Sequence, residues 1–245
     1  MSADPQADFG RDDWALASAQ RSRLYGWFSR LYALELSEEL FRAHFAEGRF
    51  GPFAGLAELG LAAEVQRLDT ATAALCAEQL PRLELAADFA QLFLLDAKAG
   101  ALPYASAYEG GEVASPLYGA AEARMREFLA ARALAIDPGF REPADHLAVP
   151  LALMADLAER AARADDFAAA AREQASFLRV ALVDWLPRFA ERCRQAAPRF
   201  DFYPALADLL LGFVRADLAF VDDVAGMQTE RPAHVRGKGD LAPPG

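Results

Sequence analysis

Apolar residues recur every three to four positions through nearly all of the chain, the spacing of helices that each bury one face. From Trp14 to Leu34 the set Leu16, Leu24, Trp27, Phe28, Leu31 and Tyr32 predicts one long amphipathic helix, with Arg21, Arg23 and Arg30 among its other positions. Ser37-Glu38-Glu39-Leu40 restarts a helix with a serine cap and acids in the first turn, and the run from Gly48 to Gly55 breaks it. Two more helices, Leu61 to Leu80 and Leu83 to Leu95, part at Pro81, and the second carries Leu85, Phe89, Leu92 and Phe93. A helix over Pro116 to Ala135 ends at Ile136-Asp137-Pro138-Gly139, the strongest turn signal in the chain. After it come helices from Glu142 to about Ala164, from Asp165-Asp166 to Asp184, from Arg188 to Ala197 beyond the break Trp185-Leu186-Pro187, and from Tyr203 to about Val224. No pair of strands is encoded. The pattern predicts an all-α helical bundle of about ten helices in two subdomains. These are residues 1–136 and 143–224, with a hinge at 137–142, and the glycine- and proline-rich tail 225–245 should be disordered.

Two stretches differ from this regular background. Residues 96–115 form a loop punctuated by Gly100, Pro103, Gly110 and Gly111 that carries Tyr104, Ser106, Tyr108 and Glu109. Loops of that length in compact domains are often functional, and its tyrosines either pin the loop to the core or meet a ligand. The second stretch is Arg141-Glu142-Pro143-Ala144-Asp145-His146-Leu147. Pro143 fits the first helical position, which puts Asp145 at the third, beside free N–H groups and the positive dipole end. Leu147, Leu151, Met154 and Leu157 or Ala158 then make a buried stripe, and Pro150 is expected to kink the helix and leave the His146 carbonyl without its usual donor. Asp145 and His146 read either as a cap and a hydrogen-bonded histidine or as functional groups. As an acid–base pair they are poorly arranged, since neighbours on a helix point about 100° apart. Glu142 and Asp145 could hold a cation weakly, though a solvated helix start explains them as well.

Composition narrows the classes of function. The 245 residues are 54% hydrophobic, ample for a core, and 25 basic against 36 acidic residues give a net charge of −11. That charge argues against a nucleic-acid partner and suits a basic peptide. The two cysteines, Cys76 and Cys193, encode neither a disulfide framework nor a zinc site, and His44, His146 and His234 are too scattered for a metal cluster. There is no phosphate-binding glycine loop and no nucleophile elbow, so neither an enzyme nor a cofactor is indicated. The start of the chain lacks the pattern of a secretory leader and no apolar run approaches the ~20 residues that cross a bilayer, which predicts a cytoplasmic protein without membrane insertion.

The order of these pieces resembles the TorD/DmsD family of cytoplasmic chaperones, which mature molybdenum-cofactor oxidoreductases bearing twin-arginine export signals. Glu142-Pro143-Ala144-Asp145-His146 is similar to that family's E-P-x-D-H signature, and Pro103-Tyr104-Ala105-Ser106-Ala107-Tyr108 to its P-Y-x-S-x-Y loop. Asp88-Phe89-Ala90-Gln91-Leu92-Phe93 resembles the aromatic helix before the loop, and Trp185-Leu186-Pro187-Arg188-Phe189 a W-L-P-x-F element, although Asp88 and Gln91 stand where relatives often carry aromatic or basic residues. The resemblance implies a chaperone that holds the leader of an exported molybdoenzyme precursor while its cofactor is inserted, as a monomer or a domain-swapped dimer. Its peptide-binding candidates are Leu92, Phe93, Tyr104, Ser106, Tyr108, Glu142, Pro143, Asp145 and His146, with acids including Asp145 facing the leader's arginines. The rival readings are a helical scaffold or regulator with another protein partner, and an acid–base enzyme using Asp145 and His146.

Overall fold

The computed structural model describes residues 9–45, 51–53, 55–95, 98–109 and 119–227. Gly48, the loop from 110 to 115, the helix start at Pro116 and the tail from 228 onward, all singled out above, lie outside these residues.

Among the described residues the fold is all-helical. The helices are α1 (Arg11–Ala33), α2 (Glu38–Phe45), α3 (Ala62–Cys76), α4 (Pro81–Phe89), α5 (Ala120–Ala130), α6 (Ala148–Ala161), α7 (Phe167–Leu178), α8 (Leu186–Gln195) and α9 (Phe202–Gly226). Wider π turns extend two of them, Ala90–Leu95 after α4 and Arg179–Val183 after α7, while Ala57–Leu61 leads into α3 through a kink at Gly60, whose φ is +81°. Local chemistry explains several of the boundaries. Ser37 Oγ accepts from Leu40 N–H at 3.2 Å, Asp166 accepts from Ala169 N–H at 2.8 Å, and Pro81 sits in the first turn of α4, where its missing N–H costs nothing. The turn predicted at Asp137-Pro138-Gly139 forms, with Asp137 accepting from Gly139 N–H at 2.7 Å through its carboxylate and from Phe140 N–H at 2.9 Å through its carbonyl.

Helix α9 is buried almost all round from Phe202 to Leu210 and on one face beyond it, through Phe213, Val214, Asp217 and Val221 to Val224, with Arg215, Ala219 and Asp223 exposed. It packs against α3, α7 and α8. Helix α1 lies antiparallel along α6 and is fastened to it at both ends. Trp14 Nε1 donates to the Ala161 carbonyl at 2.8 Å, and Ser29 Oγ donates to the Ala148 carbonyl at 2.8 Å. Between them Gly26 removes a side chain where α1 approaches Ala155.

The long α1 stripe differs from its expected phase. Leu16, counted on the apolar face, is 59% exposed, whereas Arg21, counted on the polar face, is 6% exposed. The face is set by Trp14, Ser18, Arg21, Tyr25, Phe28 and Tyr32, all buried. Arg21 can occupy it because Asp217 of α9 comes with it. The guanidinium donates to both Asp217 oxygens and, at 2.6 Å, to Gln174 Oε1 of α7, while Tyr25 O–H donates to Asp217 at 2.6 Å. Burial pulls the Arg21 pKa down, but the Asp217 charge and hydrogen bond outweigh it and hold Arg21 above the usual arginine value. The ring planes of Trp14 and Phe220 flank the cation at 5.7 and 5.5 Å. Removing one partner strands the other charge in the core. Asp217→Ala is expected to lower the unfolding free energy by about 3 to 5 kcal/mol, measured by urea denaturation at neutral pH.

Candidate functional site

The loop after α4 is short of regular structure but not of partners. Arg192 of α8 donates to the Lys98 and Gly100 carbonyls at 2.6 and 2.8 Å, and Ala101 N–H donates to the Leu92 carbonyl at 2.7 Å. The chain then runs beside residues 143–147. Leu147 N–H donates to the Pro103 carbonyl at 2.7 Å, Ala105 N–H to the Asp145 carbonyl at 3.1 Å, and Ser106 N–H to the Asp145 carboxylate at 2.8 Å. Tyr104 and His146 face each other in an isolated antiparallel bridge, and Ala105–Tyr108 closes as one 3-10 turn.

This pairing overturns one local expectation. Pro143 does not open a helix and Asp145 is not its third residue, because α6 begins at Ala148. The backbone of 145–147 is engaged by the 103–106 segment, and that tertiary pairing outweighs the proline signal. Pro150 consequently falls in the first turn of α6, where it needs no partner. No kink forms, and the His146 carbonyl accepts from Val149 N–H at 2.8 Å. The stripe behind it is as expected, with Leu147, Leu151, Met154, Leu157 and Ala158 all buried.

The candidates divide into two shells. A pocket of about 320 Å³ is lined by Ala33, Leu34, Glu35, Phe89, Phe93, Leu94, Pro103, Tyr104, Glu142 and His146. Phe93, Tyr104, Glu142 and His146 thus meet at one opening. Tyr104 O–H donates to Glu142 at 2.6 Å, and the Tyr104 and Phe140 rings meet the His146 imidazole edge-on at 5.1 and 5.3 Å. Leu92, Ser106, Tyr108, Pro143 and Asp145 stand behind this lining and are buried. Tyr108 stacks on Trp185 at 5.5 Å, which pins this part of the loop. Asp145 is completely buried, so in this conformation its carboxylate holds the loop and does not face solvent. Asp88 likewise has a structural task, accepting from Arg199 and Phe200 N–H, both at 2.9 Å, at the entry to α9.

Sequence reasoning passed over Leu34, Glu35, Phe89, Leu94 and Pro103 as pocket residues. A signal existed at Leu34, an apolar residue just before the serine-capped α2. It is 64% exposed in the structure, as is Leu94 at 56%. Burial lowers the His146 pKa to about 4, and its Nδ1 accepts from Ala148 N–H at 3.2 Å, which requires that nitrogen to be unprotonated.

A histidine whose folded pKa lies below its unfolded value, about 6.5, binds a proton only after unfolding in the window between them, so stability falls as pH drops from 6.5 toward 4. His146→Gln is therefore expected to reduce the stability lost between pH 6.5 and 5 by roughly 2 kcal/mol, measured by urea unfolding at both values. Asp145→Ala leaves the buried Ser106 N–H without its acceptor and is expected to cost about 1 to 3 kcal/mol in the same assay at neutral pH.

Comparison with known proteins shows the family. Residues 58–191 match the family described as nitrate reductase delta subunit. A protein named chaperone protein TorD from Psychrobacter sp. (strain PRwf-1) is 39% identical over 219 residues, covering 86% of this chain and 96% of that one. Proteins of the same name from Actinobacillus pleuropneumoniae serotype 7 and Escherichia coli O7:K1 are 40% and 36% identical, over 83% and 82% of this chain and 97% and 96% of theirs. These relatives carry a chaperone's name, not an enzyme's. The chain belongs to the TorD family of chaperone proteins.

Proposed function

We propose that this protein is a cytoplasmic maturation chaperone for an exported molybdenum-cofactor oxidoreductase, holding the twin-arginine leader of the precursor until the cofactor is in place. The observation that carries the reading is the chemistry of the pocket between the end of α1, the α4 extension and the paired loops. Leu34, Phe89, Phe93, Leu94 and Pro103 give it an apolar wall, and Glu35 and Glu142 put two carboxylates on its lining. A twin-arginine leader has the complementary order, basic at its front and apolar behind. Burying an apolar leader side chain against the wall drives affinity, and a charge-assisted bond from arginine to Glu142 sets register. Glu142 is half-buried and already held by Tyr104, so little side-chain freedom is lost when it binds. Asp145, Ser106 and Tyr108 act from behind by holding the loop. The net charge of −11 favours encounter with a basic segment. Residues 137–142 serve in this reading as the hinge between two helical halves, through which a second copy could exchange its carboxy-terminal half.

The test is calorimetric titration with a synthetic twin-arginine leader. Glu142→Gln is expected to weaken binding about tenfold, ~1.4 kcal/mol, with the helical circular dichroism unchanged. A leader with both arginines replaced by glutamine should lose as much against the wild type and little more against the variant. Equal affinities across all four combinations would remove this pocket from the leader site.

A further inference from the structure

The other buried carboxylates among the described residues are met by donors, and Asp145 is the exception. Asp217 is met at both oxygens by Arg21, Asp88 accepts at both oxygens from the Arg199 and Phe200 N–H groups, and Glu122 pairs with Arg126. Asp145 is completely buried and uses only half of its carboxylate. Oδ2 accepts from Ser106 N–H at 2.8 Å, whereas Oδ1 has no hydrogen-bond partner among the described residues. The Ser106 hydroxyl, also completely buried, is unpartnered in the same way.

Two orphaned oxygens on facing segments are a cost of packing 103–106 against 145–147. A buried polar atom without a partner forfeits its hydration, and a buried charge forfeits more. Separation of the two segments returns both oxygens to water. Other contacts hold the segments together: Leu147 N–H on the Pro103 carbonyl, Ala105 N–H on the Asp145 carbonyl, and the Tyr104 hydroxyl on Glu142 at 2.6 Å. The last of these lies at the opening of the pocket, two residues from Ser106. It is a bond to a charged acceptor. A cation that bonds Glu142 neutralises that carboxylate and weakens the bond it accepts from Tyr104. Occupancy of the pocket is thereby connected to the contact that buries Asp145.

We propose that residues 103–106 are a latch coupled to the pocket: when the Tyr104–Glu142 bond weakens, the segment separates from 145–147 and the Asp145 carboxylate becomes accessible beside Glu142. A third anionic group then joins Glu35 and Glu142 only once a cationic ligand is bound. The identity of that ligand rests on the leader reading, and the latch rests on the geometry above. The test is hydrogen exchange of the Ala105, Ser106 and Leu147 amides, the three donors across the latch, followed by NMR in the full chain. The Leu209 and Phe213 amides in buried α9 report global stability. Without ligand, Tyr104→Phe is expected to speed exchange at the three latch amides about tenfold and leave the α9 amides unchanged. Asp145→Asn keeps an acceptor for Ser106 N–H and removes the buried charge, so exchange at Ser106 should slow several-fold. A carboxylate that is only an anchor gives the opposite sign, because its charge-assisted bond is lost. Saturation of the wild type with the synthetic leader should speed exchange at the same three amides, whereas a rigid site would slow it. Unchanged exchange in Tyr104→Phe, unchanged or faster exchange at Ser106 in Asp145→Asn, or unchanged or slower exchange in the leader-bound protein overturns the latch. Absence of calorimetric leader binding overturns the leader assignment instead, and the two ligand-free variants then decide the latch.

Discussion

Three hydrogen bonds between residues 103–106 and 145–147 decide the form of the candidate site. Ser106 N–H to the Asp145 carboxylate, Ala105 N–H to its carbonyl and Leu147 N–H to the Pro103 carbonyl join two irregular segments nearly forty residues apart. They delay the start of α6 to Ala148, put Pro150 in a turn that tolerates it, and bring Tyr104 against Glu142 and His146. A buried carboxylate is costly unless its oxygens are used, and one of them fixes the loop. The stacking of Tyr108 on Trp185 and the grip of Arg192 on the turn at Lys98–Gly100 hold other described residues of the loop to the start and body of α8. Between Lys98 and Tyr108, a stretch that reads as loose in composition is thereby tied at several points.

Most of the helical order was legible because each helix buries one face with a clear period. Helix α9 and the α6 stripe came through for that reason, as did the caps at Ser37 and Asp166. The phase of α1 did not, because Arg21 belongs to the buried face only in company with Asp217, 196 positions away. No local pattern announces such a partner. The same limit applied at Pro143. Its chemistry favours a helix start, and the competing pairing with Pro103 and Ala105 is visible only when the loop is beside it. The candidate residues named from the sequence lie close together in the structure, yet their division into lining and support was not readable. Tyr104 and Tyr108 sit in one motif, but one meets Glu142 at the opening and the other lies under the loop.

Helix α1 lines two pockets. Its last residue and the two that follow, Ala33 to Glu35, contribute apolar and acidic groups to the pocket at the paired loops, while Arg23 and Arg30 line another together with Ala155 of α6. Helical geometry separates positions a few residues apart onto different sides, so one helix serves both.

The double fastening of α1 to α6 and α9 has a consequence for how the chain is made. Trp14, Ser29 and Arg21 find their partners at Ala161, Ala148 and Asp217, so α1 is completed by residues synthesised up to 196 positions later. Until Asp217 leaves the ribosome, Arg21 has no counter-charge and the face carrying Trp14, Tyr25 and Phe28 has no lasting cover. Contacts of such long sequence separation slow folding and leave apolar surface open to aggregation while they are pending. The face of α1 that these partners cover therefore stays open through most of the synthesis of the described residues.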